Sequence, residues 1–186
     1  EQLLEDSYRI ADAHDGATEM LRFGNYMLEE DKDIAGLKFF IGLNPTWNSI
    51  DPVQELEADH ELYRADMHWG WNPSAGYKFM RFEGEFFEQN APPDSMRTFA
   101  YHIAKDENLV AVNTFAATAP EGDHTDKTAD EGDHQPGSLT WHFNFDVKRI
   151  FENVNFETET VTHSSPEKQA LTDKIKSNTV AAFSAE

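Results

Sequence analysis

A mainly β domain, sandwich-like and antiparallel, with a C-terminal helix and long loops, is what this sequence predicts, and three observations carry that reading. Fourteen Phe, five Tyr and four Trp are spread over short runs broken by Gly, Pro, Asn and Asp, the composition of pleated, half-buried surfaces rather than of long helices. Residues 139–147 alternate strictly, with Leu139, Trp141, Phe143 and Phe145 on one side and Thr140, His142, Asn144 and Asp146 on the other, which is the period of a sheet with one core face and one polar face. A sustained helical signal comes near the end. Ser164 or Ser165 caps it, Pro166 lies in its first turn, and it runs to about Phe183 with Ala170, Leu171, Ile175 and Thr179 on one apolar face.

The elements follow in order. Residues 8–13, 20–27 and 37–43 read as strands, the last with Leu37, Phe39 and Ile41 alternating against Lys38, Phe40 and Gly42. A connection from Asn44 to Ala65 holds Pro45, Pro52 and the acidic residues Glu55, Glu57, Asp59 and Glu61. It exceeds the roughly 12–15 residues of an ordinary structureless link, so a functional or ion-tied loop is expected. Strand 76–87 comes next, then strands 97–104 and 109–116, expected as a hairpin around Lys105-Asp106-Glu107-Asn108. Between about 120 and 137 lies an acidic insertion in which Glu121-Gly122-Asp123-His124 recurs as Glu131-Gly132-Asp133-His134; it lacks apolar anchors and reads as solvated. A short helix is expected at 147–152.

Composition excludes several functions. The 186 residues fit one domain, 1–186, large enough to bury a core. With 35 acidic and 15 basic residues the net charge is −20, which argues against nucleic acid, whose phosphates need clustered Lys and Arg. No run approaches the roughly 20 apolar residues of a membrane span. There is no cysteine, so disulfides and thiolate metal sites are excluded. Gly-rich phosphate loops, G-x-S-x-G elbows and H-E-x-x-H helices are absent, and no carboxylate pair is marked out for glycoside chemistry. The chain is not expected to be an enzyme.

Without sulfur, neutral imidazole is the commonest transition-metal ligand left. In strand 97–104 the apolar face is Phe99, Tyr101 and Ile103, which turns His102 away from it; the same logic turns His142 away from Trp141 and Phe143. In the segment Met67-His68-Trp69-Gly70-Trp71, alternation puts Trp69 and Trp71 on one face and His68 on the other, unless Gly70, Pro73 and Gly76 bend the chain. His14, His60, His124, His134 and His163 fall in loops or termini and are weaker candidates. Asn44, Asp51, Asp66, Glu83 and Asp146 are oxygen donors that could contribute to a Ca2+ site, although for most of them a solvated acidic face is the plainer reading.

The pattern M-x-W-x-W at Met67 to Trp71, followed by Gly76-Tyr77-Lys78-Phe79 and Phe82-Glu83-Gly84, resembles the signature of the MbnP-like copper-binding proteins, the family that includes the methanotroph surface proteins MopE and CorA. Weaker pieces follow in the family's order: Asp6 to Ala13, Leu37 to Asn44, Phe99-Ala100-Tyr101-His102-Ile103, Phe145 to Phe151 and Ile175 to Phe183. Relatives usually carry further sequence before the first of these, so the N-terminal part of the family domain is expected to be missing.

The resemblance implies an extracytoplasmic protein, secreted, periplasmic or at the outer membrane or cell surface, that holds Cu(I) with two histidines and a kynurenine formed by oxidation of a W-x-W tryptophan. An intact indole nitrogen keeps its lone pair in the aromatic system and cannot ligate; opening the five-membered ring frees an aryl amine that can. Carried over, Trp69 is the first choice and Trp71 the second. His102 matches the family histidine, with His68 and His142 competing for the other place. A dihaem peroxidase-type enzyme is the implied oxidising partner, and a structural Ca2+ at Asn44, Asp51, Asp66 and Asp146 is of the kind the family's loops can hold. The rival reading is a calcium-stabilised carbohydrate-binding or interaction module, in which Trp69, Trp71 and Tyr77 stack on a ligand. An exposed, coplanar aromatic face would favour sugar; Trp69 edge-on to two imidazoles would favour metal.

Overall fold

The computed structural model describes residues 8–18, 21, 37–70, 72–87, 92, 95–113 and 143–185. Among these the chain is mainly β with a C-terminal helix, as the aromatic, turn-broken sequence implies. Strand β1 (Lys38–Ile41) pairs antiparallel with β4 (Val110–Asn113). Strands β2 (Lys78–Phe87) and β3 (Met96–Ala104) form the long antiparallel pair, and β6 (Val161–Thr162) adds to β3 in parallel. Strand β5 (Phe143–Phe145) pairs antiparallel with β7 (Phe183–Ala185). Helix α3 (Gln169–Ala182) follows a 3-10 turn at Pro166–Lys168.

The core lies where the β2-β3-β6 sheet, the β1-β4 pair and α3 meet. Met80, Tyr101, Ile103, Val110, Val112, Ile150, Leu171 and Ile175 form it, with Phe39, Ile41, Phe82 and Phe99 packed around. Tyr101 and Ile103 are fully buried, so the expected inward face of β3 is the observed one, and His102 is left on the other face. The apolar face of α3 differs by one position. Ala170 is exposed, and Thr172 is buried in its place, because its hydroxyl meets that of Thr162 at 2.7 Å and so satisfies the polar group it carries inward.

Three expectations are corrected. Residues 8–13 form no strand: Asp12 and Thr18 close a turn, with the Asp12 amide donating to Thr18 Oγ1 at 2.8 Å and that hydroxyl donating to the Asp12 carbonyl at 3.0 Å, and short Asp and Thr side chains favour such local bonds over a ladder. Strands β3 and β4 are not a hairpin but belong to different sheets. Asn108, fully buried at the connection, donates to the Ala104 carbonyl at 2.8 Å and draws the chain across the core. The connection after Asn44, expected as one long loop, is not all loop. It folds into two helical turns, α1 (Pro45–Asn48) and α2 (Pro52–Glu55), capped by the side chains of Asn44 and Asp51, each followed by proline at the first helical position.

Those turns are held to the sheet by a second cluster of Leu43, Leu62, Tyr77 and Phe79. Asn48 is the pin. Its Oδ1 accepts the Tyr77 amide at 2.8 Å and its Nδ2 donates to Asp106 at 2.7 Å. Gly76, at φ +68°, runs so close that a Cβ would sit 2.6 Å from the Asn48 carbonyl oxygen. The 3-10 turn Val147–Phe151 replaces the short helix expected at 147–152. Of the expected strand 20–27 only Leu21 is described, and the repeat between 121 and 134, residues 139–142, and Trp71, Trp141, His124, His134 and His142 lie outside the described residues.

Candidate metal centre

The bend foreseen at Gly70 and Gly76 sets Trp69 in place. His68 and Tyr77 form an isolated antiparallel bridge, and the Trp69 amide donates to the Gly76 carbonyl at 3.0 Å. These contacts bring Trp69 and Gly76 together at the base of a turn that contains a 3-10 turn at Pro73–Ala75. Alternation then separates the two neighbours. His68 packs edge-on to the Tyr77 ring at 5.1 Å, while Trp69 turns to the opposite side.

On that side Trp69 meets His102 of β3, which alternation turns away from the apolar face of its strand, and also His163. Its ring centroid lies 5.5 Å from that of His102 at 60° and 5.6 Å from that of His163 at 89°. The two imidazoles are 4.7 Å apart, with Nδ1 facing Nδ1 at 2.9 Å. Trp69 and His102 are buried, at 8% and 7% exposed. His163 is exposed and forms the solvent side of the cluster.

His163 is the member of the cluster that its sequence context marks least. It comes just after the two-residue strand β6, too short for a periodic signal, and Ser164 carries the reason for its placement. Ser164 is buried and in the left-handed region at φ +54°. It accepts the Ala104 amide on Oγ at 3.0 Å and donates from Oγ to the His102 carbonyl at 3.1 Å. One hydroxyl thus takes over where β6 stops pairing, and clips the chain next to His163 onto the backbone of His102. A buried-serine clip of this kind has no period to read.

Charged groups surround the rings unevenly. Glu83 Oε1 lies 2.6 Å from His102 Nε2, and Glu83 Oε2 accepts from Arg81 at 2.6 Å. The Arg81 guanidinium, and then His102, hold the Glu83 carboxyl down at about 2 despite partial burial. His102 itself is pushed below its ordinary value, because burial outweighs the support from Glu83. Lys78 reaches over the Trp69 ring, Nζ 4.9 Å from its centroid, and donates to the Asp66 carbonyl at 2.8 Å. Burial lowers its pKa.

The remaining site candidates are placed as follows. His68 is buried, its pKa is lowered by burial, and its Nε2 has no hydrogen-bond partner among the described residues. Asn44, Asp51 and Asp146 are helix caps, accepting the amides of Trp47, Val53 and Lys148, and Asp66 is paired with Arg64 through two bonds of 3.0 and 3.1 Å. Their oxygens are thus spent on separate local tasks. Among the described residues no three His, Asp or Glu side chains are grouped to hold a metal ion.

As a donor set, the cluster suits a soft, low-coordinate ion. Two imidazoles face each other, the nearby carboxylate is turned to the far nitrogen of His102, and a third ring stands at their edge. The 2.9 Å contact between the two Nδ1 atoms is a hydrogen bond. Metal–nitrogen bonds of about 2 Å demand a wider separation at any angle well beyond a right angle, so the rings must part slightly to admit an ion. An aromatic platform for sugar is disfavoured, since Trp69 and Tyr77 are both buried and Trp69 is edge-on to its neighbours. Among the described residues no helix is long and apolar enough to cross a membrane.

Compared with known proteins, the chain matches the model of one family, MbnP, over residues 2–167. No curated protein and no solved structure matches it.

Proposed function

The chain belongs to the MbnP family, whose members have a copper-related role, and from that premise we propose that it is an extracytoplasmic protein that binds Cu(I) and holds it without turnover. The observation that carries the reading is the convergence of His102, His163 and Trp69 from three separate segments into one ring cluster, buried on two sides and open at His163. His102 and His163 are the imidazole ligands, through Nδ1. Trp69, oxidised to kynurenine, supplies the third nitrogen.

The chemistry of that residue fits its surroundings. Oxidative cleavage of the C2–C3 bond of the indole inserts two oxygen atoms, and hydrolysis of the resulting formamide releases formate and leaves a primary aryl amine with a usable lone pair. The oxidant is a peroxide handled by a haem peroxidase-type partner acting from outside. With three neutral nitrogens and no carboxylate the site favours the singly charged ion over doubly charged competitors.

A Cu(I) competition titration tests this on protein made with and without its oxidising partner, beside Trp69→Phe and His163→Ala. Trp69→Phe should fold and behave as unoxidised protein does, with the high-affinity step lost. His163→Ala should lose more than the 10–100-fold typical of removing an outer-shell group. Equal affinity for the oxidised protein, the unoxidised protein and Trp69→Phe would remove kynurenine from the ligand set. An intact-mass measurement detects the oxidation independently, and peptide mapping locates it.

A further inference from the structure

The Phe82-Glu83-Gly84 segment does not belong to the ring cluster, yet Glu83 touches it. In the β2–β3 register Arg81 stands opposite His102 and Glu83 opposite Ala100, so Arg81, Glu83 and His102 share one face, with Glu83 diagonal to the histidine. The two carboxylate oxygens are divided between these neighbours: Oε2 takes the Arg81 guanidinium and Oε1 takes His102 Nε2, each at 2.6 Å.

Counting protons around this chain fixes the tautomers. An ionised carboxylate only accepts, and a neutral imidazole carries a single N–H. His102 must therefore hold its proton on Nε2, and its Nδ1 is a bare lone pair. The contact between His102 Nδ1 and His163 Nδ1 at 2.9 Å is also a hydrogen bond, and its proton can come only from His163. So His163 carries its proton on Nδ1.

We propose that Glu83 is a positioning residue that assigns His102 Nδ1 as a metal donor, and that the metal ion enters by replacing the proton that His163 Nδ1 donates to it. The inference rests on the copper reading for the identity of the ion, but not for the tautomers. Proton count is conserved: as the His163 Nδ1 lone pair turns to the metal, its proton is lost to water and one is taken up at Nε2 of the same exposed ring. His102 needs no rearrangement, because Glu83 already holds it in the binding tautomer. The carboxylate acts through the far side of the ring and stays out of the ligand set, which remains neutral while the imidazole is made a better donor.

The test reads ring nitrogens by 15N–1H correlation at mildly alkaline pH, first on metal-free protein and then with Cu(I) added. Expected in the metal-free state are Nε2–H on His102 and Nδ1–H on His163; with Cu(I), His163 switches to Nε2–H and His102 does not change. Glu83→Leu should release the His102 tautomer and weaken Cu(I) by roughly 10–100-fold, whereas Glu83→Gln, which keeps a carbonyl acceptor, should retain the tautomer and most of the affinity. Nδ1–H on His102 in the metal-free protein, or Glu83→Leu with tautomer and affinity both unchanged, overturns the proposal. The expected tautomers in a protein that takes up no Cu(I) overturn the metal exchange together with the copper reading, and leave the hold of Glu83 on His102 standing on its own result.

Discussion

Replacing Ser164 by alanine isolates the device that brings the two histidines together. The hydroxyl serves two buried backbone groups, the Ala104 amide at 3.0 Å and the His102 carbonyl at 3.1 Å, and Ser164 itself is 1% exposed. Water cannot replace it without opening the core, and each buried group left unpaired costs about 1–3 kcal/mol. Allowing for relaxation, the pair should cost about 2–4 kcal/mol in all. With a urea slope of about 2 kcal/mol per molar, the middle of the range for a small protein, the unfolding midpoint should fall by about 1–2 M. Ser164→Gly separates the bonds from the backbone: it loses the same two bonds but suits φ +54°, and should be more stable than Ser164→Ala by about 1 kcal/mol. A Ser164→Ala midpoint within about 0.3 M of the parent, on the same slope scale, refutes the clip.

Further outcomes follow from the same geometry. In Gly84→Ala the new Cβ would lie 2.7 Å from Cε1 and Cζ of Phe99, whose ring packs on Tyr101, Phe151 and Phe156, so thermal melting should report a loss of about 1–3 kcal/mol. Acid should act in two stages. His102 has a folded pKa below its ordinary 6.5, so the unfolded chain takes up that proton first and stability declines as pH falls below about 6.5. Glu83 drops from 4.5 to about 2; its contribution is complete above about 4.5 and disappears toward about 2. It is reduced by solvent screening at this half-exposed carboxylate. Urea midpoints across pH 7 to 3 check both stages, and Glu83→Gln should flatten the second; a midpoint constant between pH 7 and 5 contradicts the first. Lys78→Met removes the ammonium 4.9 Å above Trp69. It should cost no more than about 1 kcal/mol, yet speed oxidation of Trp69 by peroxide, followed by mass spectrometry, since a cation over the ring opposes electron loss.

What could be read from the sequence depended on whether a residue's place follows from a period. Tyr101 and Ile103 inward and His102 outward follow from alternation in a nine-residue strand, and Leu171 and Ile175 follow from helical spacing. The pairing of β3 with β2 and β6 instead of β4 does not, because Asn108 decides it by turning its amide into the core. The helical turns after Asn44 were within reach. Asn44-Pro45 and Asp51-Pro52 are each a capping residue followed by the proline that suits the first helical position, a signal that the neighbouring acidic residues mask.

The site divides along the same line, and the division explains why His163 was the residue to miss. Trp69 and His102 each stand beside ordered strand or bridge geometry that a sequence can announce. His163 stands at the end of a strand two residues long, held by a serine hydroxyl in a left-handed conformation that sequence does not favour. Its position is a property of Ala104 and His102 as much as of its own neighbours, for it exists only where their backbone groups lack a ladder partner. A search for this arrangement in other chains should therefore look not for a second strand histidine, but for a histidine followed by a small hydroxyl residue just beyond a short parallel strand.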